Sequence, residues 1–260
     1  AAKKLAGKDV DVILIDKRNH HLFQPLLYQV ATADLSPAEI AWPIRSMFSK
    51  SPNVSVFMGE VTGIDLPNQR VLSGEHVLEY DYLVLATGAV TSYFGNDDWA
   101  SVAPGLKNIT EATNIRKSLL MAFERAENSQ DEDQKRRLLN FIVVGGGPTG
   151  VEMAGAIAEL AKKTLSDDFR RIDPRDARII LAEGGPRILG AFPEDLSDYT
   201  QKSLESIGVD VRVGQAVTEI TAQGAKIGDE FIPSANVIWG AGVQVPDLKD
   251  WTQKPADRGG

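Results

Sequence analysis

Short apolar runs, each closed by an acid or by small residues, recur along this chain in the manner of parallel strands buried on both faces. Asp11 to Asp16 (DVILID) is one, ending in a carboxylate where a sheet's carboxyl edge is expected. Tyr82 to Ala86 (YLVLA) reads as another strand and runs into Thr87-Gly88. Between them, residues 20–49 mix loop and helix signals. Ser36-Pro37-Ala38-Glu39 there supplies an N-cap, a first-position proline and a first-turn acid. Val54 to Leu66, Arg70 to Ser73 and His76 to Glu79 read as a small β meander with turns at Pro67-Asn68 and Ser73-Gly74. The opening residues read as the end of an amphipathic helix stopped at Ala6-Gly7.

The second half repeats this plan. Ile115, Leu119, Leu120 and Phe123 give helical spacing to Glu111 to Asn128, and the charged stretch 129–137, with Asp131, Glu132 and Asp133, reads as a solvated loop. Strand Phe141 to Val144, helix Val151 to Lys163, strand Arg178 to Ala182, helix Leu196 to Ile207 and strand Val209 to Val213 follow in a βαβαβ order, which predicts a parallel sheet with right-handed crossovers. Ala216 to Ile220, Lys226 to Ile227 and Glu230 to Ile232 then form a second meander, followed by Val237 to Gly240. The fold class is α/β, with two Rossmann-like dinucleotide-binding domains, one inserted in the other. Expected boundaries are 1–110 for the first, 111–245 for the inserted second, and 246–260 for the return to the first.

Composition removes several functions. Lys plus Arg number 28 against 36 Asp plus Glu, so the net charge of −8 repels polyanions and no nucleic-acid partner is expected. The chain has no cysteine, which excludes a disulfide framework, a thiolate metal site, an iron–sulfur cluster and a dithiol redox centre within it. His20-His21 has no third ligand at a familiar spacing, so no metal is expected. Trp42, Trp99, Trp239 and Trp251 are scattered and read as packing residues. No apolar run reaches the roughly 20 residues of a spanning helix, and the first ten residues hold no apolar signal core. A domain opening on the last turn of a helix is expected to be the core of a longer protein.

The chemistry concentrates at Gly145-Gly146-Gly147-Pro148-Thr149-Gly150, a G-x-G-x-x-G between a strand and a helix. Gly145 would make the tight turn, Gly147 would let backbone N–H groups approach a pyrophosphate, and Gly150 would let helix and strand pack closely. The helix N-terminus adds about half a positive charge. The acid that takes a ribose hydroxyl should end the next strand, about 20 residues on. Glu183 has that context but lies 33 residues past Gly150, an excess explained if 164–177 is an insertion. A carboxylate there favours NADH over NADPH, with nearby Arg187 as a counterweight. Asp16 holds the equivalent place in the first half, so a second dinucleotide is expected there, its own glycine loop lying upstream of Ala1.

Asn19 to Ala31 (NHHLFQPLLYQVA), Leu85-Ala86-Thr87-Gly88, Gly145 to Glu152 (GGGPTGVE) and Trp239 to Val243 (WGAGV) together resemble the type II NADH:quinone oxidoreductases, single-subunit FAD enzymes of respiratory membranes, across essentially the whole chain. The resemblance implies that Asp16 and Lys17 contact the FAD adenosine, that Val61 presents backbone to the adenine, and that Thr87 and Gly88 border the flavin. It places Phe23, Gln24, Pro25 and Leu26 beside the flavin and the quinone. Gly145, Gly147, Pro148, Thr149, Gly150 and Glu183 fall to NADH, with Gly242 also at a cofactor, and Glu152 is the implied catalytic residue, assisting proton supply or quinone positioning. FAD and NADH are the implied cofactors and quinone the acceptor. The implied location is the cytoplasmic face of a bacterial inner membrane, reached through a C-terminal region absent from this chain, with a homodimer left open and the fragment itself soluble. The fragment is expected not to hold FAD tightly, for want of its pyrophosphate loop. Two other readings stay open: a soluble reductase of a small iron–sulfur protein, and a non-catalytic nucleotide-sensing module.

Overall fold

Five consecutive buried residues, Asn140 to Val144, mark a strand covered on both faces, and this strand is central to the larger sheet. The computed structural model describes residues 1–246 together with Leu248 and Trp251. Within these the chain forms two compact units. One contains residues 1–23, 37–90 and the chain from Gln244, the other residues 24–36 and 91–243.

In the first unit, β1 (Val12–Asp16) pairs in parallel with β2 (Val54–Met58), Asp16 lying opposite Met58. Ile44, Phe48 and Val54 make its small core, with Val12, Leu14 and Val56 packed against them. A three-stranded antiparallel meander, Gly63–Asp65, Arg70–Ser73 and His76–Glu79, follows as expected. The opening turn of helix, Ala2–Leu5, stops before Gly7, whose φ of +73° is open to glycine at no steric cost. Tyr82 to Ala86, expected as a strand, is not one. It finds no ladder partner among the described residues, and most of its apolar side chains stand exposed, Tyr82 at 94% and Val84 at 68%. An apolar run becomes a strand only where a neighbouring edge accepts its backbone.

The second unit contains a short helix, α1 (Leu27–Ala31), and the long α2 (Ile109–Asn128), whose cap is the Asn108 side chain accepting the Glu111 N–H at 2.9 Å. Next come α3 (Glu132–Leu139), β3 (Asn140–Val144), α4 (Pro148–Glu159), β4 (Arg178–Glu183), α5 (Glu194–Ser206), β5 (Val209–Val213) and β6 (Asn236–Trp239). The four strands form one parallel sheet in the order β5-β4-β3-β6, the arrangement that the βαβαβ pattern predicts. An antiparallel meander of Val217–Thr221, Gly224–Ile227 and Glu230–Pro233 precedes β6.

The charged stretch 129–137 is mostly helix rather than loop. Asp131 caps α3, its Oδ1 accepting the N–H groups of Asp133 (2.9 Å) and Gln134 (3.2 Å). Ion pairs Glu132–Lys135 and Asp133–Arg136 run along the helix, while Leu138 and Leu139 are buried. Charge hid a capped amphipathic turn. The units also divide the chain at other places than the expected boundaries. Residues 24–36 belong with the second unit because Leu27, Val30 and Ala31 form a buried i, i+3, i+4 stripe on α1, which packs on α2 and α4. Residues 91–108 join it through buried Tyr93, Ala103 and Leu106. The expected return segment 246–260 lies outside the described residues apart from Pro246, Leu248 and Trp251. Among the described residues no helix is long and apolar enough to cross a membrane.

Candidate functional site: a dinucleotide cradle

At the carboxyl end of β3 the backbone turns sharply through Gly145, where φ is +105°. A Cβ there would lie 2.5 Å from the Cα of Ala241, so only glycine lets this turn touch the loop after β6. Gly150 is tied from the other side: a Cβ on it would collide with the carbonyl oxygen of Gly145. Between them, Gly147 meets no atom within 4 Å and caps α4, with Pro148 at its first turn. Two glycines thus close the turn and the third leaves it open, which is what a loop approached by a phosphate group requires.

Glu183 ends β4 beside this loop. Its Oε2 accepts the Gly146 N–H at 2.6 Å and its Oε1 accepts the Gly185 N–H at 2.6 Å. Both oxygens keep a further lone pair, so the carboxylate is held in place and can still accept from a diol. The long spacing that separates it from Gly150 is absorbed by a π turn continuing α4, Leu160–Thr164, and by an insertion after it that contains a 3-10 turn, Pro174–Asp176. Glu127 on α2 pins that insertion by accepting the N–H groups of Arg170, Arg171 and Ile172, and these bonds hold its carboxyl below the usual range. Arg187 donates to the carbonyls of Phe192 (2.9 Å) and Gly190 (3.0 Å), so its guanidinium is committed to its own loop.

The loop after β6 is held by the backbone and by aromatic rings. Gly240 donates to Val144 at 2.7 Å, and Ser92 donates to the Gly242 carbonyl at 3.1 Å. A Cβ on Gly242 would lie 2.5 Å from the Phe94 ring. Trp239 is buried, donates its indole N–H to the Ser92 carbonyl (2.8 Å) and stacks on Tyr93 at 5.3 Å. Trp99 and Phe94 meet it edge-on. The packing reading of Trp239 and Trp99 accords with these contacts.

Glu152 stands on the first turns of α4 with an exposed side chain, yet the protein around it raises its carboxyl above the usual range by desolvation. Thr149 is partly buried one turn before it. Tyr28, on α1, is half-buried and carries no local sequence signal of a site. Burial raises its phenol first of all, and the charges of Glu152, Asp34 and Glu159 raise it further.

In the first unit, Asp16 ends β1 and its Oδ1 accepts the Arg18 N–H at 2.8 Å. The Asp16 carbonyl receives the Gly59 N–H at 3.0 Å, and Lys17 pairs with Glu60 at 3.3 Å, both exposed. Val61 follows directly in a stretch outside the ladders, and exposed Thr87 and Gly88 lie in a segment without regular structure, Gly88 at φ +72°. Phe23 belongs to this unit, whereas Gln24, Pro25 and Leu26 belong to the other and form a single 3-10 turn, with the Gln24 side chain donating to the Lys107 carbonyl. Among the described residues no cluster of His, Asp and Glu could hold a metal ion.

A glycine cradle between strand and helix, with an acid at the end of the next parallel strand, defines a dinucleotide-binding α/β protein. The chain belongs to the pyridine nucleotide-disulphide oxidoreductase family, whose model matches residues 1–256. Among curated proteins it is 45% identical to the type II NADH:quinone oxidoreductase Ndh of Mycobacterium tuberculosis, covering 100% of this chain and 59% of that protein. It is 30% identical to the external alternative NAD(P)H-ubiquinone oxidoreductase B2 of Arabidopsis thaliana, covering 97% of this chain and 46% of that one. The solved structure of NDH2 from Plasmodium falciparum in complex with NADH matches with a TM-score of 0.83 at 26% identity, over 91% of this chain and 51% of that chain. The chain therefore spans about half the length of the relatives it matches.

Proposed function

We propose that the protein to which this chain belongs oxidises NADH through FAD and passes the electrons to a membrane quinone. The observation that carries the reading is the Gly145-Gly147-Gly150 cradle with Glu183 fixed beside it, in a chain 45% identical to a type II NADH:quinone oxidoreductase.

The residues present fit NADH. Gly147 leaves room for the pyrophosphate at the N-terminus of α4, whose backbone donors and dipole favour the anion. Glu183 would accept the hydroxyls of the adenosine ribose and repel a 2′-phosphate, and Arg187 is engaged elsewhere. Asp16 offers FAD a carboxylate for its adenosine ribose, with Lys17 and Val61 beside it and Thr87 and Gly88 nearer the flavin. When bound, FAD supplies the group that accepts hydride from NADH and releases electrons to the quinone. Glu152, with its raised proton affinity, would hold the proton that quinone reduction consumes. Phe23, Gln24, Pro25 and Leu26 would border the quinone, and Gly242 would support the cradle from the loop after β6. A cysteine-free chain has no thiol to relay the electrons. Action at the cytoplasmic face of a bacterial inner membrane belongs to the same proposal, because a quinone is met in lipid.

The test is the full-length protein with Glu183→Ala. NADH kcat/KM should fall tenfold or more while NADPH kcat/KM rises, with a short-chain quinone as acceptor. Equal use of NADH and NADPH by the unmodified protein, or turnover only with a small iron–sulfur protein, would overturn the reading.

A further inference from the structure

Residues 184–193 join the end of β4 to the start of α5 and lie against the glycine turn. Gly146 sits where two side chains close in: a Cβ on it would lie 2.8 Å from Ile188 and 3.0 Å from Glu183. Its N–H donates to Glu183 Oε2 at 2.6 Å, and its carbonyl oxygen accepts the Leu189 N–H at 2.7 Å. The second bond aims a peptide. In a planar trans peptide the N–H points opposite to the carbonyl, so a Gly146 carbonyl turned toward Leu189 turns the Gly147 N–H away from it. Gly147 is the glycine at which the cradle stays open.

Leu189 makes this bond from a strained backbone, φ +50°, which an L residue keeps only where its surroundings impose it. Arg187 supplies one fastening, donating to the carbonyls of Phe192 and Gly190, and the Phe192 N–H returns to the Leu189 carbonyl at 2.8 Å. Ser197 supplies the other. α5 buries two residues, Ser197 and Leu204, two turns apart. Leu204 is the apolar side chain that such a face calls for, whereas Ser197, only 1% exposed, places a hydroxyl where another apolar residue is expected. That hydroxyl donates to the carbonyl of fully buried Ile188 at 2.6 Å. The Ile188 carbonyl and the Leu189 N–H belong to one peptide unit.

We infer that Ser197 is a positioning residue for the dinucleotide site: its hydroxyl heads a chain of hydrogen bonds that runs through the 188–189 and 146–147 peptides and presents the Gly147 N–H to the pyrophosphate. The inference rests on the proposed binding of NADH at this cradle. Every link points the same way, donor to acceptor, so each peptide polarises the next and the last N–H is a stronger donor to an anion. The chain also fixes direction, because a 188–189 peptide free to turn would release the Gly146 carbonyl and, with it, the Gly147 N–H.

The experiment uses the full-length, FAD-loaded protein as wild type, Ser197→Ala and Leu204→Val, the last weakening the same helix face without touching the chain of bonds. NAD⁺ carries the same pyrophosphate and leaves the flavin oxidised, so calorimetry with it gives Kd. Steady-state rates with NADH and a short-chain quinone give KM and kcat, and hydrogen exchange read by mass spectrometry follows the amides of residues 186–193. Ser197→Ala should raise Kd and KM about fivefold or more, keep kcat within about twofold, and speed exchange in 186–193. Leu204→Val should melt lower and still bind NAD⁺ within about twofold of wild type. If Ser197→Ala binds within about twofold of wild type, or Leu204→Val weakens binding as much as Ser197→Ala does, the inference is overturned and the NADH site stands. A wild-type protein that binds no NAD⁺ overturns the reading of the cradle, and the inference with it.

Discussion

Replacing Gly147 by alanine separates binding from folding at the cradle. The residue has φ −74°, a backbone any side chain adopts, and an added methyl meets nothing within 4 Å. Alanine is a poorer helix cap than glycine by about 0.5–1 kcal/mol, and it gains about 0.4–1 kcal/mol by restricting the unfolded chain. The two nearly cancel, so the melting temperature should move by no more than about 3 °C. The methyl does occupy the space through which a pyrophosphate approaches the backbone donors. Losing one hydrogen bond to a charged group costs about 1.5–3 kcal/mol, which corresponds to a roughly tenfold to hundredfold weaker Kd for NADH. Gly145→Ala is the contrast. Its φ of +105° costs an L-residue about 1–3 kcal/mol, and its Cβ is driven to 2.5 Å from Ala241, adding about 1–3 kcal/mol of overpacking. NADH titration by calorimetry and thermal unfolding of the full-length protein measure both. A Gly147→Ala protein that binds NADH within threefold of wild type, or that melts more than about 10 °C lower, refutes the reasoning.

Asp131→Ala should cost about 0.5–2 kcal/mol in urea unfolding, because Oδ1 caps α3 with two bonds; a loss below about 0.2 kcal/mol would return 129–137 to a loop. Trp239→Ala should cost about 3–5 kcal/mol and loosen the Gly240 loop, since the ring is buried among Tyr93, Phe94 and Trp99; a change under about 1 kcal/mol would contradict that packing. The proton affinity of Glu152 is higher in the folded than in the unfolded chain, so its unfavourable contribution is absent below the unfolded pKa and accumulates as pH rises through the folded one. Glu152→Gln should therefore melt above wild type at pH 8 and level with it near pH 4. A variant less stable than wild type at pH 8 reverses the sign and the argument.

The cradle was legible because local chemistry dictates it. Gly145, Gly147 and Gly150 each answer a steric demand that depends only on the strand before and the helix after, and Glu183 was recognisable by its strand end despite the long insertion. The parallel pairing of β3, β4 and β5 followed from the alternation of strand and helix signals along the chain. The cap of α3 carried a local signal as well, an aspartate three residues before Gln134, but the density of charge masked it. What could not be read is where α1 docks. Leu27, Val30 and Ala31 announce a buried face without saying which unit buries it. Tyr82 to Ala86 shows the opposite failure, an apolar run whose strand depends on a partner edge rather than on its own residues.

The most direct test of the account is an anaerobic two-step reaction of the full-length protein in stopped flow. NADH should bleach the flavin absorbance in a single turnover, and a short-chain quinone mixed in afterwards should restore it, with Glu152→Gln slowing the second step about tenfold or more and leaving the first within a few-fold. A flavin that NADH does not reduce, or a reduced flavin that quinone leaves unchanged, contradicts the account.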